Sequence, residues 1–387
     1  MRKYKLSDVA VVNPKDKLED LAIRVSFVPM QNVSENGDID VSQTRLALEV
    51  SKGFTSFVDG DVLMAKITPC MENGKGAVAT GLCNGRGFGS TEFFVIRPDH
   101  TKVRSEWIYY YTTQKQFRLD CEHNMTGSAG QKRVPKAYLE NKKIEIPALA
   151  EQDDVLAKLG HIKRILTLRQ QQLQKLDELV KARFVELFGD AIHNDKGWEN
   201  DTVEKLCKEI YGGGTPSKSH PEYYEDGDIP WVSSKDMKTD VLTDSQIKIN
   251  QLGVDNSTAR MVPINSVIMV IRSGILKHTL PVAINAVPIT VNQDLKVFIP
   301  NKRVLTRFLA IQFKMHEKDI LSGVRAVTAD NIEFNSLKQR ELIVPPIELQ
   351  QEYVTFLEQI DKSKVAVQRA LDETQLLFDS LMQKYFG

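Results

Sequence analysis

Residues 151–188, EQDDVLAKLGHIKRILTLRQQQLQKLDELVKARFVELF, follow a pattern that this chain writes twice, and no other feature limits its fold so strongly. Steps of four and three from Val155 meet Leu159, Ile162, Leu166, Arg169, Leu173, Leu176, Val180, Arg183 and Leu187. A shift of 198 positions, without a gap, gives a second seam: Tyr353, Leu357, Ile360, Lys364, Val367, Leu371, Thr374, Phe378, Leu381 and Tyr385. Eight of the ten members are apolar or aromatic each time. That spacing predicts a coiled-coil seam rather than the wider face of an ordinary surface helix, and two such helices in one chain are natural partners for each other. The polar interruptions at Arg169, Arg183, Lys364 and Thr374 imply either control of pairing register or contact with another protein.

The 387 residues are ample for two further cores. Before the first helix, residues 62–65 (VLMA) follow the turn signal Asp59-Gly60-Asp61 as a buried strand, and residues 92–97 form another, ended by Pro98. A helical stretch over residues 106–119 comes next, then the loop Thr126-Gly127-Ser128-Ala129-Gly130, then the short strand Ile144-Glu145-Ile146, halted by Pro147. The second block repeats the outline, with strands at 267–271 and 295–299, a helix at 305–316, and Leu342-Ile343-Val344 before Pro345. The expected fold class is α/β (mixed α+β). It has a module at 1–147, a helix at 148–189, a related module at 190–345 and a second helix at 346–387. Thirty-eight helical residues reach about 57 Å, whereas a module of this size has its ends close together, with a radius of gyration near 15 Å. The second helix is therefore expected to run antiparallel to the first, giving an internal pseudo-twofold repeat with the modules separated by the helix pair.

Fifty-one basic residues balance 51 acidic ones, so any nucleic-acid surface must be local, and a non-specific coater of DNA is disfavoured. Cys70, Cys83, Cys121 and Cys207 stand singly, without the spacing of a zinc site or a disulfide framework. The first residues, MRKYKLSDVAVVNP, lack the apolar core of a signal peptide, and no run approaches a membrane span, so the expected location is cytoplasmic.

Catalytic patterns do not emerge. Gly212-Gly213-Gly214-Thr215-Pro216-Ser217-Lys218 has serine where a P-loop needs glycine before lysine, and its proline removes an amide donor. It is either a contact for a nucleic-acid backbone, through Thr215, Ser217 and Lys218, or an ordinary turn. No NPPY-like tetrapeptide, dinucleotide fingerprint, HExxH or nuclease carboxylate set is present. Polar loops beside strands are the better lead. In the first module these supply Lys66, Thr68, Lys75, Ser90, Thr91, Gln131, Lys132 and Arg133. In the second they supply Ser234, Lys235, Arg272, Ser273, Lys277, His278, Asn292, Gln293 and Arg325. Such side chains either donate to phosphates and read base edges, arginine and lysine favouring guanine and the amides adenine, or are merely solvated.

Several stretches taken in order resemble the specificity subunit of Type I restriction-modification systems, over essentially the whole chain. They are GDVLMAKITPCMENGKGA (60–77), GFGSTEFFVIRP (87–98), KRVPK (132–136), GGGTPSK (212–218), IPWVSSKDM (229–237), IRSGIL (271–276), VNQDLKVFIP (291–300) and IVPPIELQ (343–350). The resemblance implies two target-recognition domains, each reading half of a bipartite double-stranded DNA sequence, with two long helices as spacer and as docking site for two methyltransferase subunits. It implies no catalysis, cofactor or metal in this chain. S-adenosylmethionine would sit on the adenine-methylating partner, and ATP with magnesium on the restriction and translocase subunits. The competing expectation is a coiled-coil structural adaptor whose modules bind proteins.

Overall fold

The computed structural model describes every residue except Met1, Lys17, Glu19, Ala129, Val324, Val327, Thr328 and Ala329, and excludes the side chains of Arg325 and Ala326. The repeated segments form two helices of 40 residues, α1 (Leu149–Phe188) and α2 (Ile347–Phe386), at the same 198-residue offset as their sequences. The chain divides into two compact units, Met1–Gln171 with Gln368–Gly387, and Gln172–Val367. Each unit thus holds one module, part of the helix that follows it, and part of the other helix. Among the described residues no helix is long and apolar enough to cross a membrane.

Every seam position of both helices is buried or half-buried. Within unit 1, Val155 and Leu159 of α1 share a core with Phe378, Leu381, Tyr385 and Phe386 of α2, so the helices run antiparallel there. Arg169 donates to the Ala370 carbonyl and to Thr374 Oγ1, which makes two of the seam interruptions each other's partners. Within unit 2, Lys364 pairs with Asp177, and Arg183 bridges Glu186 and Glu352, both at 2.7 Å. All four interruptions therefore find partners within the helix pair itself.

Each helix is anchored at its start by a buried glutamine in its first turns. Gln152 Nε2 donates to the carbonyls of Lys102 and Pro147, both at 2.9 Å, and its Oε1 accepts from Arg104 N at 2.9 Å. Gln350 makes the same three bonds, to Arg303 O at 3.0 Å, to Pro345 O at 2.8 Å and from Leu305 N at 3.0 Å. Both side chains are fully buried with their hydrogen-bonding capacity used, so they lock helix to module at little desolvation cost. At the far end of α1, Phe184 and Phe188 pack with Phe308 and Tyr353 in unit 2. At the far end of α2, Phe386 lies 4.6 Å from Trp107 in unit 1.

The modules share a strand plan. In unit 1 the main sheet comprises β1 (Ala10–Val12), β2 (Val62–Ala65), β3 (Gly76–Val78) and β4 (Phe93–Pro98), in the order β1-β4-β2-β3 and antiparallel throughout. In unit 2, β5 (Cys207–Gly212), β6 (Val267–Val270), β7 (Val282–Asn285) and β8 (Leu295–Pro300) take the order β5-β8-β6-β7, extended by Val241–Leu242. A smaller sheet accompanies each, built on a parallel pair: Arg24–Val28 with Arg86–Gly89, and Ile229–Val232 with Thr290–Val291. The strands expected at 62–65, 92–97, 267–271 and 295–299 fall within a residue or two of these. The helix expected over 106–119 is instead two, Ser105–Thr113 and Lys115–His123. Gln114 between them is extended, with ψ 151°, and its side chain caps the second helix by accepting from Gln116 N at 2.8 Å.

Candidate nucleic-acid interface

In unit 1 the chain leaves β2 as residues 66–68 and keeps strand-like bonding on both sides. Lys66 N donates to Glu92 O, Val134 N to Lys66 O and Thr68 N to Lys132 O, at 2.9, 2.9 and 3.1 Å. This frame gathers three segments at one end of the main sheet: 66–68, the turn 90–92 before β4, and the returning segment 131–134. Gly127 is essential to the return, because its φ of +125° disfavours a side chain and a Cβ would sit 2.9 Å from Gln131 O.

The sequence candidates of unit 1 mostly meet here. Ser90 Oγ accepts from Glu92 N at 3.1 Å and shapes the turn, while Thr91, Gln131 and Lys132 are exposed. Arg133 makes a two-pronged pair with Glu92, Nε to Oε2 at 2.9 Å and Nη2 to Oε1 at 2.8 Å. The guanidinium holds the Glu92 carboxyl below its usual range, and the carboxylate raises Arg133 in return. Lys66 Nζ lies 5.6 Å over the Phe94 ring, and Thr68 Oγ1 donates to Glu72 Oε1 at 2.9 Å. Lys75 turns elsewhere, its ammonium 3.4 Å from Met30 O.

Unit 2 repeats the frame bond for bond. Ile271 N donates to Asp294 O, Ile332 N to Ile271 O and Ser273 N to Asp330 O, at 2.9, 2.8 and 3.1 Å. Asn292 takes the place of Ser90, its Oδ1 accepting from Asp294 N at 3.1 Å. Asp294 takes the place of Glu92 and pairs with Arg272 at 2.6 Å. Thr215 hydrogen-bonds Gln293 at the exposed tip, and Lys277 approaches Asp330 at 3.7 Å.

Ser234 and Lys235 follow the strand that Asn292 N meets at Val232 O, 2.9 Å away. Ser217 bonds Ser219 at 2.7 Å, Lys218 is exposed, and His278 is exposed at the end of a short helical turn. Among the described residues no hydrogen bond joins Ser217, Lys218, Lys235 or His278 to the cluster around Asp294. The Arg325 side chain lies outside the described residues. The triple glycine has a packing cause, since a Cβ on Gly213 would lie 1.9 Å from Val291 O and one on Gly214 2.3 Å from Thr258. The acids Glu92, Asp294 and Asp330 are the members that sequence reasoning missed, for their partners lie tens of residues away and no local pattern marks them.

The family model for the Type I restriction modification DNA specificity domain matches residues 1–178 and again residues 195–374. The chain belongs to this family. The specificity subunit of the Type I restriction enzyme EcoAI of Escherichia coli is 37% identical over 177 residues, which cover 44% of this chain and 30% of that protein. The EcoR124I/EcoR124II specificity subunit of E. coli is 31% identical over 271 residues, 68% of this chain and 65% of that one. The chain thus spans less than two thirds of the length of these relatives. Among solved structures, the S subunit of a Type I restriction-modification system from M. genitalium matches 100% of this chain and 96% of its own, at TM-score 0.60 and 12% identity, a likeness of fold.

Proposed function

We propose that this chain is the DNA-reading subunit of a Type I restriction-modification complex, each module reading one half of a bipartite double-stranded site. The observation that carries this is the doubled frame: one set of main-chain bonds, built twice, presents different polar side chains on its two copies. In this reading the helix pair sets the gap between half-sites and docks two methyltransferase subunits in the cytoplasm. The chain itself is non-catalytic and binds no cofactor or metal. S-adenosylmethionine belongs to the methyltransferase partners, and ATP with magnesium to the restriction and translocase subunits. Lys66, Lys132, Lys218, Lys235, Lys277 and Arg325 suit phosphate contacts, while Thr91, Gln131, Arg133, Arg272, Asn292 and Gln293 suit base edges or their support.

The test is methylome sequencing of cells that express the chain with its modification subunits and no other methylation system. One bipartite motif with methylated adenines is expected. Absence of any motif, together with no salt-sensitive DNA binding by the reconstituted complex, would favour the protein-binding adaptor instead. Removing one heptad from each helix shortens it by about 10 Å, so the gap should contract by roughly three base pairs. A gap unchanged in such a deletion contradicts the spacer role.

A further inference from the structure

Resting on that reading, we propose that the Arg133 guanidinium in unit 1 and the Arg272 guanidinium in unit 2 each read a guanine edge in their own half-site, with Glu92 and Asp294 as positioning residues. Both pairs stand at the foot of the turn that precedes the last strand of the main sheet, and both arginines remain substantially exposed, at 41% and 47%. Grip on phosphate depends on net charge, which a carboxylate at hydrogen-bond distance cancels. An arginine meant only for the backbone would do better without it. What the carboxylate supplies is direction, because the planar fork is pinned along one edge and the rest of it is aimed.

Counting donors shows what remains. Arg133 spends Nε and one Nη2 hydrogen on Glu92, and one Nη1 hydrogen on Gln131 O at 3.0 Å. One N–H is left on each terminal nitrogen, matching the two acceptors, O6 and N7, of a guanine in the major groove. Arg272 donates Nε to Oδ1 of Asp294 at 2.6 Å, with Nη2 in ion-pair contact with the same oxygen, while Oδ2 accepts from Asn292 Nδ2 at 3.1 Å; both Nη1 hydrogens and the outer Nη2 hydrogen are left to a ligand.

The two arginines reach the acid from opposite partners of the same bridge. Ile67 pairs with Arg133 in unit 1, and Arg272 with Asn331 in unit 2. In each unit one of the two bridge positions is an arginine, and it is not the same one. The pair has thus been built twice by different routes at one place, which points to use of the pair rather than to a shared strand sequence. If the pair only stapled the loops, its loss would weaken all sites alike.

The test is the methylome of the full chain with its modification subunits, wild type beside Arg133→Gln, Arg272→Gln and Glu92→Gln. Arg133→Gln should make one G·C position degenerate in one half of the motif, lowering discrimination there on the order of tenfold to a hundredfold. Arg272→Gln should do the same in the other half, and Glu92→Gln should relax the position that Arg133→Gln relaxes. An unchanged motif, uniform loss across all sites, or relaxation of both halves by one substitution overturns the proposal while leaving a bipartite wild-type motif intact. Should Arg133→Gln fail to fold, Glu92→Gln and Arg272→Gln decide alone by the same outcomes. A wild-type complex without a bipartite motif removes the reading on which the proposal rests.

Discussion

Unit 1 and unit 2 hold their candidate loops with the same three backbone bonds, yet Lys132 in one stands where Asp330 stands in the other, and Arg133 where Asn331 stands. Main-chain bonds make no demand on side-chain identity, so the frame tolerates these exchanges, including a reversal of charge. The lesson is that the repeated part of this molecule is its scaffold, and the variable part is what the scaffold presents. In each cluster the cations are partly matched by the acids that position them.

The comparison can be strained first at the helix ends. Phe188 is fully buried among Phe184, Phe308 and Tyr353, while its counterpart Phe386 is slightly exposed against Trp107. Phe188→Ala should cost about 3–5 kcal/mol in unit 2 and Phe386→Ala less in unit 1, because a deeper site leaves the larger cavity. Denaturant unfolding of the full chain, with Trp107 reporting on unit 1 and Trp198 and Trp231 on unit 2, separates the two.

The glutamines should behave alike. Gln152→Ala or Gln350→Ala strands two carbonyls and one amide at a buried site, and each is expected to cost about 1–3 kcal/mol in its own unit. A large difference between them would break the equivalence of the two anchors.

The joints between the short helices should differ. Gln114 in unit 1 caps its neighbour, whereas His316 in unit 2 is buried, with the Ala191 backbone near its ring but no well-formed hydrogen bond to either ring nitrogen among the described residues. Burial, then the charge of Arg340, holds His316 below its ordinary 6.5, although Asp319, Asp190 and the Ala191 backbone pull it upward. The folded state thus binds the proton less readily than the unfolded chain. The stability linked to neutral His316 is present above about pH 6.5 and drains away as pH falls through the lowered folded value. Melting curves from about pH 7.5 down to about pH 5, a range that brackets the ordinary histidine value, should show unit 2 weakening before unit 1, and His316→Gln should flatten the difference. The smallest effect is electrostatic: Lys132→Ala should weaken binding to every DNA sequence equally and reduce the salt slope by about 1.

Much of this architecture is legible in the sequence because it is periodic. The seam at 3.5-residue spacing announces both helices and even their polar interruptions, and alternation or apolar runs mark the main strands. What escapes is non-local. Gln152 and Gln350 look like surface residues of an acidic helix start, and only the folded chain supplies the carbonyls that bury them. Phe184 and Phe188 both lie off the seam, and they pack on Phe308, more than a hundred residues away. Gln114 sits inside an unbroken helical pattern, yet takes an extended conformation. The Glu92–Arg133 and Arg272–Asp294 pairs join segments that neither periodicity nor turn chemistry connects.

The central claim, that two equivalent frames read two half-sites independently, is tested most directly by transplanting loops. Residues 90–92 and 126–134 would be replaced together by those of another family member, leaving unit 2 untouched, and the methylome sequenced with the same modification subunits. The account predicts that one half of the bipartite motif changes while the other half and the gap stay as they were. A motif unchanged in both halves, or altered in both, would contradict it.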